Sequence, residues 1–217
     1  PLGDIFISYE GAISGGYERS LSLSEGLFSA KNDLVSVEAF ASFYSDVVAY
    51  KVSSKKPLSL TITLKSQMPS ETNFDGDFCL TGQAPDEVIP NYVLSAVNPI
   101  KYNEGKGMAF CLALNVTSNG ETENQNDKIT VKNATEITIY FATATGFTDS
   151  YSMPITDKEA VKNKATAKLK GLNYESIKEK HILDYQSLYS RQSFKISNGS
   201  SKTGLELLND AKNGNVT

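Results

Sequence analysis

A two-residue rhythm of apolar and polar side chains runs through most of the chain before residue 147. Leu58, Leu60, Ile62 and Leu64 alternate with Ser59, Thr61 and Thr63. Met108, Phe110, Leu112, Leu114 and Val116 alternate with Ala109, Cys111, Ala113 and Asn115. Ile137, Ile139 and Phe141 alternate with Thr138 and Tyr140. Period two belongs to strands, which turn one set of side chains to a core and the other to the opposite face. Shorter runs at 5–9, 17–23, 35–43, 47–52, 78–81, 92–97 and 129–131 read as further strands. Gly15-Gly16, Asp75-Gly76 and Asn119-Gly120 supply turn chemistry between them. A parallel sheet would need helical crossovers, and none interrupts these runs. The expectation is stacked antiparallel sheets.

The pattern changes near Pro154. Thr156-Asp157-Lys158-Glu159 has the form of a capping box. Val161, Ala165 and Leu169 then recur at helical spacing, with Gly171 placed to end the helix. A second helix is expected over 174–190, with Ile177, His181, Tyr185 and Leu188 as its buried stripe. Phe194-Lys195-Ile196 begins an expected short strand at 194–197. Thr203-Gly204-Leu205-Glu206 repeats the box, and Asn213-Gly214 would stop a short helix. The organisation predicted is a β-sandwich unit at 1–153 followed by a helical linker segment at 154–217. The helices are amphipathic, so each needs a surface to cover, in the sandwich or in something outside it. The stretches 121–127 (ETENQND) and 198–202 (NGSSK) read as polar loops.

Composition narrows the chemistry. With 40% hydrophobic and 21% charged residues, the chain is expected to be globular. A net charge of −4 gives no positive field for a nucleic acid. No apolar run reaches the ~18–20 residues that span a bilayer, so no membrane partner is expected. The opening Pro1-Leu2-Gly3-Asp4 lacks a Met and reads as a processed product or a cut-out piece. One histidine and two cysteines without ligand spacing do not make a zinc site. No phosphate-cradling glycine motif is present, and no metal or cofactor is expected.

Each chemically interesting residue has a plain structural reading. His181 lies on an apolar helical stripe, where a packed imidazole bonded to Tyr185 or a loop carbonyl outweighs a catalytic base. Cys79 and Cys111 face away from Phe78, Leu80, Phe110 and Leu112, and buried free thiols are favoured over a disulfide. Asp75 with Asp77, Asp86 with Glu87, and Asp149 could supply paired carboxylates, but acidic loop residues are common solvated decoration. The sequons at Asn115, Asn133, Asn198 and Asn215 are assigned no role. No catalytic, cofactor-binding or metal-binding residue is therefore assigned.

Several segments, in order, resemble the N-terminal β domain of glycoside hydrolase family 95, the α-L-fucosidase-like glycosidases. They are Leu2-Gly3-Asp4-Ile5, Tyr17-Glu18-Arg19-Ser20-Leu21-Ser22-Leu23, Phe40-Ala41-Ser42, Gly82-Gln83-Ala84-Pro85, Gly107-Met108-Ala109-Phe110 and Ala142-Thr143-Ala144-Thr145-Gly146-Phe147. His181, Asp184-Tyr185, Leu188-Tyr189 and Arg191 resemble that family's linker pattern. The resemblance covers nearly the whole chain. It implies a supersandwich-type β-sandwich with C-terminal linker helices. It also implies that the catalytic Glu and the water-activating Asn/Asp group of an inverting glycosidase lie in a downstream (α/α)6 barrel.

The expected role is a non-catalytic domain that braces this absent barrel, in a secreted or periplasmic bacterial parent. The alternative is an independent carbohydrate-binding module built on exposed tyrosines such as those of 91–102. A third reading is a protein-binding adaptor that uses the amphipathic helices.

Overall fold

The computed structural model describes residues 2–10, 15–93, 97–195 and 201–215. Its strands are β1 (Asp4–Glu10), β2 (Glu18–Ser22), β3 (Leu27–Lys31), β4 (Val35–Ser42), β5 (Val47–Lys65) and β6 (Ser70–Asp75). They continue as β7 (Asp77–Gln83), β8 (Glu87–Val88), β9 (Ile100–Lys101), β10 (Ala109–Ser118), β11 (Glu121–Asn124) and β12 (Ile129–Thr145). Three helices follow: α1 (Lys158–Ala167), α2 (Tyr174–Tyr189) and α3 (Gly204–Lys212). The protein is mainly β, its strands are antiparallel, and the helices come last, as the alternation predicts.

One sheet runs in the order β2-β3-β4-β5-β12-β10-β7-β6. β1 pairs with the second half of β5, and β11 with the first half of β12. β5 and β12, 19 and 17 residues long, therefore change partners part-way along. Local chemistry marks the change. Pro57, which has no N–H to give a ladder, lies between the last β4-paired residue, Ser54, and the first β1-paired residue, Ser59. Opposite, the β5–β12 register shifts between Val131 and Ala134 and again before Glu136. Asn133 there takes φ +55, a left-handed conformation that Asn tolerates and bulges use.

The four-stranded half (β1, β5, β12, β11) folds over one face of the eight-stranded half. Val52, Phe78, Leu80, Phe110, Leu112, Leu114, Ile137 and Ile139 meet Leu60, Ile62, Ile129 and Val131 in one buried cluster. Each such side chain contributes about 1.5–3 kcal/mol of hydrophobic burial. Tyr9 and Tyr50 join the layers through their hydroxyls, 2.9 Å apart. The result is a sandwich made from a single bent sheet.

The other face of the eight-stranded half carries the helices. There the strands present Ala49, Cys79, Ala109, Cys111, Ala113 and Ala142, which share a cluster with Val161, Ala165 and Leu169 of the α1 segment and Ile177 of α2. Small side chains let a helix lie close to a sheet, and this face is that seat.

Several expectations change. The runs at 47–52 and 58–64 are one strand, as are 129–131 and 137–141. The run 92–97 is not a strand at its described residues 92, 93 and 97; the local pair is β8–β9. Residues 121–124, expected in a loop, form β11, which is exposed throughout and pairs along the edge of β12. β3 and β6 are strands outside the expected set. Thr156 does not cap α1; the Asp157 side chain accepts from the Glu159 and Ala160 amides instead. Gly171 does follow α1 at φ +66. Phe194 and Lys195 are not in a strand, and Ile196 lies outside the described residues. The α3 capping box forms as expected.

Candidate functional site

α2 is fixed to the sheet by a polar cluster and an aromatic column. Tyr174 Oη donates to Glu38 Oε1 at 2.5 Å, and Lys178 Nζ lies 2.7 Å from the same oxygen. Lys51 Nζ sits 4.8 Å from the Tyr174 ring centroid and 3.3 Å from Glu175 Oε1. Burial alone would push the Glu38 carboxyl up, but hydrogen bonds from Lys178 and Tyr174 outweigh it and hold the group below the usual range. Burial and the Glu38 bond push the Tyr174 phenol well up, so it remains a donor.

A carboxylate whose folded-state pKa is lowered stabilises the fold above its unfolded pKa. That contribution is lost as pH falls through the lowered value. Acid titration of stability is therefore expected to show a component from Glu38 below the ordinary carboxylate range. Glu38→Gln should remove that component from a pH series of urea midpoints and cost about 1–2 kcal/mol at neutral pH.

His181 is buried against this cluster. Its ring stacks on Phe40 at 4.8 Å between centroids, and Nε2 lies 3.3 Å from the Gly26 carbonyl oxygen. Tyr185 and Tyr189 continue the column, with ring centroids 5.6 Å apart. Leu188, expected on the buried stripe, is exposed. The imidazole thus locks α2 to the turn after β2, with the Gly26 carbonyl as its hydrogen-bond partner.

Cys79 and Cys111 are free and buried beneath α1. In the register Cys79 pairs with Ala113 and Cys111 with Thr81, so the thiols are diagonal neighbours on adjacent strands. Contact with the Cys79 sulfur and burial push the Cys111 thiol well up, away from thiolate chemistry.

The acidic candidates are dispersed among structural partners. Asp75 faces Lys162 at 3.4 Å, and Asp77 accepts from Asn115 at 2.9 Å. Asp86 accepts from the backbone and side chain of Asn103, and Glu87 pairs with Lys101 at 2.7 Å. Asp149 accepts from the Tyr151 and Ser152 amides. Bonds from Asn103 and from Tyr151 hold Asp86 and Asp149 below the usual carboxylate range. Among the described residues no group of three or more His, Cys, Asp or Glu side chains could hold a metal ion. No described helix is long and apolar enough to cross a membrane.

What the fold does gather is an apolar loop surface. The β4–β5 turn, the segment between β7 and β10, and the segment after β12 all leave the sheet at one end, because Gln83 pairs with Ala109 and Phe110 with Thr145 there. Phe43, Tyr44, Tyr92, Val97, Phe147, Tyr151 and Met153 are exposed on these segments, Tyr151 at 98%. Leu183 and Leu188 are also exposed on α2, and the Lys180 ammonium lies 4.7 Å from the Tyr44 ring centroid, which ties the helix to this end.

The segment after β12 is braced. The Gly146 amide donates to the Ala109 carbonyl, Ile155 N donates to Gly146 O, and Ala109 N donates to Ile155 O. A side chain at Gly146 would overlap the Ile155 carbonyl oxygen. Exposed aromatics therefore stand on anchored backbone here. These residues escape sequence reasoning, since their grouping depends on which strands end together.

The profile of the family described as "Glycosyl hydrolase family 65, N-terminal domain" matches residues 1–150. The chain is 24% identical over 220 residues to "Alpha-L-fucosidase 2" of Arabidopsis thaliana, covering 92% of this chain and 26% of that protein. It therefore spans about a quarter of the length of that curated relative. Among solved structures it is similar to "Putative kojibiose phosphorylase from human microbiome", with a TM-score of 0.45 and 11% identity, over 80% of this chain and 23% of that one.

Proposed function

Because the chain belongs to the glycosyl hydrolase family 65 N-terminal domain family, we propose that it is the non-catalytic β domain of a glycosidase, and that its apolar loop end seats the catalytic domain. The observation that carries this reading is the exposure of Phe43, Tyr44, Phe147, Tyr151 and Met153 on segments that leave the sheet at one end, together with Leu183 and Leu188 on α2. Apolar patches of that kind on a folded domain are interaction sites. The buried groups that could do chemistry are instead committed to packing.

The more specific assignment is a parent like the family 95 α-L-fucosidases. It is supported by the ordered segments from Leu2-Gly3-Asp4 to Arg191 and by the likeness to the Arabidopsis fucosidase. In such a parent the acid and the water-activating group come from the downstream barrel, and this chain supplies rigidity and one rim of the cleft.

The purified chain is expected to release no nitrophenol from an aryl α-L-fucoside above a mock preparation. Turnover that survives repurification would sink the non-catalytic reading. In the parent polypeptide, Phe43→Asp combined with Leu188→Asp is expected to lower the melting temperature of the catalytic portion while leaving the isolated β domain unaffected. An unchanged parent would refute the docking role.

A further inference from the structure

The two layers of the sandwich differ in width, and the mismatch leaves a groove at one edge. On the β6–β7 side the inner face is covered, with Phe78 and Leu80 fully buried and Asn126 accepting from the Phe74 amide. On the other side the upper layer stops at β1, while the lower layer continues through β4, β3 and β2. Among the described residues this strip is uncovered and forms a groove of about 260 Å³ whose lining includes Tyr9, Tyr17, Phe28, Tyr50, Lys31 and Asn32. It lies toward the β3–β4 turn, at the far end of β4 from the turn at 43–46.

The lining combines aromatic faces with a few fixed polar groups. Tyr17 and Phe28 are both exposed, Tyr17 at 68%. Tyr9 and Tyr50 line the inner wall; the single hydrogen bond between their hydroxyls does not use the second phenolic proton or the remaining lone pairs. Burial and the Tyr50 bond push the Tyr9 phenol well up, so it stays protonated. The Asn32 carbonyl accepts from the Leu34 and Val35 amides at 2.8 Å each, which fixes its NH2 as the donor end. Lys31, the one charged residue in the described lining, is already paired with Glu18 at 3.0 Å, which leaves no uncompensated charge among the described lining residues to select an anion.

Neutral hydrogen-bonding groups beside aromatic faces match a ring with hydroxyls at its rim and C–H bonds on its faces. The volume falls below the ~300–1,000 Å³ of drug-sized sites and suits a single ring. We propose that this groove binds one neutral pyranose unit of a glycan, at a site away from the loop end that carries Phe43 and Tyr151.

The test is an amide-resolved NMR titration of the whole chain with methyl α-L-fucopyranoside, methyl β-D-galactopyranoside and methyl β-D-glucopyranoside. At least one sugar is expected to shift signals of residues 28–37 saturably. Tyr17→Ala, on an exposed ring, and Tyr9→Phe, which keeps the ring and removes the hydroxyl, should each weaken binding about tenfold. Tyr151→Ala, at the opposite end, should leave it unchanged. The proposal is overturned by no saturable shift with any of the three sugars, by shifts confined to the loop end, or by binding indifferent to both tyrosine changes. It is also overturned if the same signals move with protein concentration alone, which would mean that a second copy fills the groove. None of these outcomes bears on the docking reading, which rests on the other end of the molecule.

Discussion

Phe78→Ala is expected to lower the unfolding free energy by about 3–5 kcal/mol. Phe78 is fully buried in the sandwich core, opposite Leu114 on β10 and Phe74 on β6. Its neighbours sit on hydrogen-bonded strands on both sides and cannot collapse into the space a ring leaves. The cost therefore approaches the sum of lost transfer energy and an unfilled cavity, rather than the transfer energy alone. Urea unfolding followed by far-UV circular dichroism reads it as a lower midpoint at unchanged slope. A shift smaller than about 1 kcal/mol would mean that the two layers are not close-packed there.

The second large effect lies on the opposite face. Val161 is fully buried where α1 lies on the sheet. Val161→Asp would place a carboxylate in a seat of Ala and Cys side chains, at a cost of about 3–5 kcal/mol if it stayed there ionised and unpaired. Lifting α1 avoids that cost, because the sheet keeps its hydrogen bonds and its other core. The expected outcome is partial: β signal retained, helical signal reduced, and Cys79 and Cys111 newly reactive toward a thiol reagent. In the unsubstituted chain both thiols should react only at the rate of global unfolding. Reactive thiols in the unchanged chain would refute this account of the helix–sheet contact.

The strand content was legible because a half-buried strand writes its two faces into alternate residues, as at 108–116. The limits of that signal are visible in particular places. β11, Glu121–Asn124, has every side chain exposed, so nothing in ETEN distinguishes an edge strand from a loop. At 54–57 and 132–135 the residues that bend β5 and β12 look like strand ends, since bulges and turns use the same Pro and Asn chemistry. At the described residues 92, 93 and 97 of the alternating run no strand forms, and period two alone does not make a ladder. The helix stripe held for Ile177 and His181 but not for Leu188, where α2 projects beyond the sheet. The histidine's partner, the Gly26 carbonyl, is brought to it by folding from 155 residues away. The exposed apolar residues of the loop end were hidden for the same reason: their segments leave one end of the sheet because their strands end side by side.

Since β5 and β12 run through both layers, neither leaf of this sandwich has a spine of its own. Loosening the smaller leaf strips the partner from half of each long strand, and the larger leaf loses its middle. Heat or denaturant should therefore meet one all-or-none melting of the sheet. A pull applied at the loop end is carried along the same two strands toward the opposite end of the molecule.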